Sequence, residues 1–195
     1  MTPPAGVDDD QLTAWARHAG RGDHAAATAL IGATRPHVQR FLTHLAGPGE
    51  AEDLTQETFL RALRSLPGFA GRSTARTWLL AIARRVAADH VRTVMGRPRI
   101  AVAPTWEVAA DTAAAARGGD LEDGVVLRRL LDGLLPQRRE AFVATQVLGL
   151  SYAEAAEVCG CPVGTIRSRV ARARDDLTAA LHTHDHPASR LRRVG

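Results

Sequence analysis

The most constraining feature of this chain is the span from Ser151 to Arg174. Ser151 and Glu154 have the spacing of a capping box, which opens a helix by satisfying its first free N–H groups reciprocally. Six residues on, Gly160 can take the left-handed conformation that ends a helix. Pro162 then suits the first turn of another. The segment that follows places Ile166, Val170, Ala173 and Leu177 at i, i+4, i+7 and i+11, one apolar helical face. A short helix, a tight glycine turn and a longer helix make a helix-turn-helix.

The same punctuation divides the rest of the chain. Gly20 and Gly22 close a first helix over 9–19. A second, over 23–45, stops at Gly47-Pro48-Gly49, and Pro36 inside it is expected to kink or divide it. A third runs over 51–65 and stops before Pro67-Gly68. Its Phe59, Leu63 and Leu66 are read as the inward face. After a loop at 69–73, a fourth runs over 74–94, with Leu79, Ile82 and Val86 supplying core. Two more helices, 122–134 and 136–148, precede the helix-turn-helix. No segment alternates as a strand does. The sequence therefore predicts an all-α fold: a helical domain over 8–95, a linker over 96–119, a helix-turn-helix domain over 120–181 and a polar tail over 182–195. Hydrophobic residues are 45% of the chain but aromatics only 4%, so Ala, Leu and Val must fill the core.

Charge adds a functional constraint. All 25 basic residues are Arg, and the net charge is +4. Residues 72–99 hold seven Arg against Asp89, and residues 100–124 hold five acids against Arg117. Charge blocks of this kind speak of partners rather than of fold. Four Arg fall within residues 167–174, on the helix that a helix-turn-helix inserts into the major groove. Arg suits bidentate contacts to guanine and to phosphate. In the third helix, Asp53, Gln56, Glu57 and Arg61 share a face. Acids in a first helical turn also favour the helix dipole, so ordinary helix design and a docking face both fit. In the fourth, Trp78, Arg85, Asp89 and Arg92 fall along one stripe, with Arg72, Arg76 and Arg84 around it. An aromatic beside guanidinium groups suits unstacked single-stranded DNA, while a half-buried core role fits Trp78 equally well.

These blocks carry a resemblance. Asp53-Leu-Thr-Gln-Glu-Thr-Phe-Leu-Arg61, Thr77-Trp78-Leu79 and Gly164-Thr-Ile-Arg-Ser-Arg-Val-Ala-Arg-Ala-Arg174 together resemble an extracytoplasmic-function sigma factor of the sigma-70 family. The stretch Ser73–Arg92 is particularly similar to the actinobacterial sigma-C branch. The resemblance implies that the chain directs RNA polymerase core enzyme to promoters and assists their melting. It implies that Asp53, Leu54, Gln56, Glu57 and Arg61 dock on the clamp helices of the polymerase largest subunit, with the flap region as a further partner. Arg72, Ser73, Arg76, Trp78, Arg84, Arg85, Asp89 and Arg92 would meet the minus-ten element, with a flipped base held by the loop before the fourth helix. Thr165, Arg167, Ser168, Ala171, Arg172 and Arg174 would meet the minus-35 duplex. Ala171 stands where the family often has a larger side chain, and Arg85 where it often has Asn. The acidic linker either imitates nucleic acid in the polymerase cleft or is a solvated tether.

Other readings need features this sequence lacks or carries only incidentally. A free-standing regulator has no use for the 53–61 and Trp78 blocks. An enzyme would need a phosphate loop, a nucleophile elbow or a zinc motif, and none is present. Cys159 and Cys161 lie in a turn and His182, His184 and His186 in a tail, an incidental arrangement rather than a metal site. No cofactor is expected. No apolar run approaches the roughly 18 residues of a membrane span. The segment Met1–Asp10 does not read as a signal peptide. A reduced, cytoplasmic protein fits. Two separate basic faces also call for masking, by an anti-sigma protein or by packing of one domain on the other.

Overall fold

The computed structural model describes residues 7–96 and 121–184. The tail expected from residue 182 falls mostly outside these residues, and the linker almost wholly so. The described residues form helices joined by turns, with no strand among them.

The first half contains α1 (Asp9–Gly20), α2 (His24–Ala46), α3 (Pro48–Ser65) and α4 (Ala75–Gly96). Each start has a local cause. Asp8 accepts a hydrogen bond from the Gln11 N–H at 2.7 Å, and Asp23 one from the Ala26 N–H at 3.0 Å. Pro48 occupies the first turn of α3, where its missing N–H is no loss. The start of α4 is capped locally by the Thr74 hydroxyl, which accepts the Thr77 N–H at 3.2 Å, and from outside by the Thr13 hydroxyl of α1, which accepts the Ala75 N–H at 3.1 Å. The α2 helix is not divided at Pro36. Pro36 is exposed while Leu30, Thr34, Val38, Phe41 and Leu42 around it are buried, so packing holds the helix through the missing hydrogen bond. Phe59 and Leu66 are buried as expected, but Leu63 is 41% exposed and Leu60 is 51% exposed. Leu63 therefore belongs to the outer side of α3.

The second half contains α5 (Leu121–Asp132), α6 (Pro136–Phe142), α7 (Tyr152–Cys159) and α8 (Val163–His184). The helix expected over 136–148 is a shorter α6 followed by a π-turn, Val143–Val147. The capping box forms in full, with the Glu154 carboxylate accepting the Ser151 N–H at 2.8 Å and the Ser151 hydroxyl accepting the Glu154 N–H at 3.2 Å. Gly160 sits at φ +62°, the left-handed corner between α7 and α8. Ile166, Val170 and Ala173 are fully buried, and Leu177 packs against the core.

The two halves pack on each other. The α4 helix lies along α7, and α2 touches α6 and the π-turn. Buried side chains of both halves join one apolar cluster, from Leu12 to Ala173. Polar contacts cross the same boundary. Arg84 of α4 pairs with Glu140 of α6 at 2.8 Å, and Thr77 of α4 hydrogen-bonds Glu154 of α7.

Candidate nucleic-acid interface

Three surfaces emerge. The first is the outer face of α3. Asp53 and Gln56 are exposed and Glu57 is half-buried. Leu60 and Leu63 continue the same side at helical spacing, so an acidic row borders an apolar one. Leu54 is 8% exposed and faces the core. Glu52 anchors the inner edge by accepting from Arg35 of α2 and from Gln39 at 3.2 Å, which fixes α3 against α2. Hydrogen bonds from Gln56 and Arg35 hold the Glu52 carboxyl below its ordinary pKa.

The second surface is the loop before α4 together with one side of that helix. Trp78 is half-buried, and its ring meets that of Phe69 at 5.0 Å and 49°. One face of the indole thus steadies the loop. Arg72, Arg85 and Arg92 are exposed, and Ser73 is half-buried. Asp89 is not a free acid. It accepts from Arg61 of α3 at 2.7 Å and from Arg92, and these hydrogen bonds, Arg61's first, hold its carboxyl below the ordinary range. Arg61 also donates to Glu57 at 2.7 Å, so it ties α3 to α4. The guanidinium is held charged by the same two carboxylates. Arg76 approaches Asp9 at 3.9 Å, and Arg84 is engaged by Glu140 across the domain boundary. Of the eight side chains read from sequence as one group, Arg84 therefore points to a different side from Trp78 and Arg85. Neighbouring residues on a helix are offset by about 100°.

The third surface is α8. Arg167, Ser168, Ala171, Arg172 and Arg174 are exposed, and Thr165 is half-buried. Arg174 is bonded to Gln146 at 2.9 Å, while Ser168 donates to the Thr165 carbonyl. Beside this helix a 520 Å³ cleft is lined by Gln137, Arg138, Thr165, Ser168, Arg169 and Arg172, among others. Arg169 is steadied by Gln137 at 3.2 Å, and Arg138 pairs with Asp176 at 2.5 Å. Sequence reading counted Arg169 among the four Arg of residues 167–174 without giving it a role, and did not single out Arg138 or Gln137. The signal for Arg138 and Gln137 is their proximity to α8, which needs the fold to be seen. Among the described residues no three His, Cys, Asp or Glu side chains gather as a metal site. Burial pushes the Cys159 thiol up to about 12, with the Glu140 carboxylate adding to it, so this cysteine stays an unreactive core thiol.

An acidic and apolar face, an aromatic-basic face and a basic helix-turn-helix, in this order on one helical chain, are the arrangement of a sigma factor of the sigma-70 family. The sequence matches Sigma-70 region 2 over residues 30–95 and Sigma-70 region 4 over residues 125–177. It is 53% identical over 178 residues to the ECF RNA polymerase sigma factor SigC of Mycobacterium tuberculosis, covering 91% of this chain and 95% of that one. It is 36% identical over 149 residues to the ECF RNA polymerase sigma factor EcfG of Rhodopseudomonas palustris, covering 75% and 80%. The fold is similar to that of CnrH, solved with the cytosolic domain of CnrY (TM-score 0.66, 26% identity, 90% and 99% covered). It is likewise similar to RpoE, solved with the anti-sigma factor NepR from Bartonella quintana (TM-score 0.67, 30% identity, 80% and 96% covered). The chain belongs to the extracytoplasmic-function sigma factors. It serves promoter-specific transcription initiation by RNA polymerase.

Proposed function

We propose that the outer face of α3 is the polymerase-docking surface. Asp53, Gln56 and Glu57 would meet basic residues of the clamp helices, and Leu60 and Leu63 would supply the apolar part of the contact. Arg61 would act from behind, holding Glu57 and Asp89 in place. Trp78, Arg72, Arg85 and Arg92 then meet the melted minus-ten strand, where one base–aromatic stack is worth ~1–3 kcal/mol. Arg167, Ser168 and Arg172 read the minus-35 duplex, while Arg174, Arg169 and Arg138 hold its phosphates. The flap region would meet the 120–181 half. The domains divide as 8–95, 96–119, 120–181 and a tail from 182. The chain acts in the cytoplasm and has no catalytic activity of its own.

We read the packed arrangement of the two halves as a closed, self-occluded state. Minus-ten and minus-35 elements lie about 25 base pairs apart, or roughly 85 Å at 3.4 Å each. Here α4 packs on α7 and α7 on α8. At 8–10 Å between packed helices, the two DNA-facing helices are within about 20 Å of one another. One closed molecule cannot reach both elements, so the halves must part. Residues 97–120, fully extended, could bridge about 80 Å. The packing of α4 on α7 carries this reading. An anti-sigma protein would act on the same equilibrium.

In vitro transcription with core enzyme and mapped start sites tests the assignment. Charge reversal at Asp53 and Glu57 should weaken core binding and leave the helical content unchanged. Unchanged core affinity would remove α3 as the docking surface.

A further inference from the structure

The outward face of α8 is bordered by two arginines that other elements hold in place. Buried Ile166, Val170 and Ala173 define the inner side of this helix, and exposed Ser168, Ala171, Arg172 and Asp175 the outer side. Arg169 and Arg174 stand at opposite borders of the inner side, about 140° apart at 100° per residue. The Arg169 Nη2 donates to the Gln137 Oε1 at 3.2 Å, and the Arg174 Nη2 to the Gln146 Oε1 at 2.9 Å. Gln137 lies in the first turn of α6 and Gln146 in the π-turn that follows it. This segment therefore crosses beneath α8, and its two ends emerge at the two borders.

The orientation of the Gln146 amide is set from below. Its Nε2 donates to the Thr145 hydroxyl at 3.0 Å, and that hydroxyl donates to the Ala141 carbonyl at 2.8 Å. Thr145 is itself buried. With its nitrogen turned to Thr145, the amide presents its oxygen to Arg174. The Leu148 N–H closes on the Val143 carbonyl at 3.0 Å, the bond that makes this a π-turn, a device frequent at functional sites. At the other border Arg169 is held twice, by Gln137 and by the Cys161 Sγ at 3.5 Å. Both glutamines are exposed and neutral. A hydrogen bond at such a position adds little to the fold, so its effect falls on where the guanidinium points.

A helix about 10–12 Å across, lying in a major groove about 12 Å wide, has a phosphate strand along each side. We propose that Gln137 and Gln146 are positioning residues of the minus-35 grip, each aiming one guanidinium, Arg169 or Arg174, at the phosphate strand on its own side of the groove. The inference rests on the reading that these two arginines hold minus-35 phosphates, and it adds the residues that orient them beforehand. Part of the cost of binding is the immobilisation of long side chains, and a guanidinium already held loses less. Phosphate contacts carry no base information, so both glutamines act on affinity and not on sequence preference.

The test is anisotropy titration of the full-length chain, over a range of salt, with a short duplex carrying a minus-35 element from a promoter mapped with core enzyme. Met has the length of Gln without its acceptor, and thermal melts check that each variant folds. Gln146→Met and Gln137→Met should each weaken binding about two- to tenfold, equally on matched and mismatched duplexes. Arg174→Ala and Arg169→Ala should weaken it and lower the salt slope by about 0.9 each, the share of one phosphate. Gln146→Met should then add nothing in the Arg174→Ala background, nor Gln137→Met in the Arg169→Ala background. Methylphosphonates that neutralise one strand at a time should abolish the effect of one glutamine each. A loss that persists without the arginine is a structural effect and overturns the proposal. So does loss of both glutamine effects on the same strand. Unchanged affinity in a glutamine variant whose arginine variant binds less well overturns that glutamine's role alone. If both arginine variants keep affinity and slope, the phosphate reading fails and the proposal with it.

Discussion

If closure is an equilibrium, breaking the Arg84–Glu140 ion pair that crosses the boundary should shift it by a calculable amount. Arg84 and Glu140 meet at 2.8 Å with 27% and 15% of their side chains exposed. Exposed pairs are worth about 0–1 kcal/mol, and losing one partner of a buried pair costs about 3–5 kcal/mol. This pair lies between, so Glu140→Gln should weaken the closed state by about 2 kcal/mol. At 1.4 kcal/mol per factor of ten, that is about thirtyfold in the closed-to-open ratio. A ligand that binds only the open chain then gains up to the same factor in apparent affinity. On the proposed function core polymerase is such a ligand, because it must present the two halves at promoter spacing. The assay is titration of core enzyme with full-length chain carrying a donor dye on α1 and an acceptor on α8. Glu140→Gln should raise core affinity toward thirtyfold and lower energy transfer in the free protein. Glu157→Gln, the same charge change at an exposed position of α7, controls for electrostatics and should do neither. A lower melting temperature with unchanged core affinity and unchanged transfer would refute the latch and leave the pair a stability contact.

Other outcomes follow from single residues. Arg167→Ala should cost ~1–3 kcal/mol at one base pair of the minus-35 duplex and relax specificity there, read by competition binding with substituted duplexes. Gly160→Ala should destabilise the second half by about 1–2 kcal/mol in urea titration, because the added Cβ is strained at φ +62° even with open space around it. The pKa of His37 is lowered by burial and then by Arg76, and that of His44 by burial and then by Arg40 and Arg128. A histidine depressed below 6.5 binds more protons unfolded than folded. Stability is therefore full above about 6.5 and falls as pH drops through the folded values. The melting temperature should begin to fall below pH 6.5, before carboxylates such as Asp89 and Glu154 titrate. A His37→Asn, His44→Asn variant should flatten that limb.

What could be read in advance depended on how local its cause is. The capping box, the Gly160 corner and the apolar face from Ile166 to Ala173 are fixed by residues within a few turns of one another, and each stands where the sequence places it. Leu79, Ile82 and Val86 followed from periodicity in the same way. Leu63 did not, because an i, i+4, i+7 pattern through Phe59 and Leu66 fits two overlapping faces, and only packing against α2 and α4 chooses between them. Pro36 shows the opposite override, with tertiary burial on both sides keeping a helix that local preference would break. The candidate sites divide along the same line. Exposure of Arg167, Arg172 and Arg85 was legible from the apolar residues opposite them. The ties of Arg61 to Asp89, 28 residues away, and of Arg84 to Glu140, 56 residues away, join elements whose neighbourhood no local pattern encodes.

Closure need not cover both DNA surfaces, and α4 suggests that it does not. Thr77 and Arg84, seven residues apart, share one side of this helix and face the second half. Trp78 and Arg85 share the side about 100° away, and Arg85 is exposed. Closure then blocks promoter engagement by holding the faces too near each other, not by burying the melted-strand face. A short single-stranded oligomer spanning only the minus-ten element should therefore bind wild type and Glu140→Gln alike, in the free full-length protein, by fluorescence anisotropy. A forked template carrying both elements at natural spacing should favour Glu140→Gln. If the short oligomer gains as much as the forked template, Trp78 and its arginines are masked directly, and the distance argument is wrong.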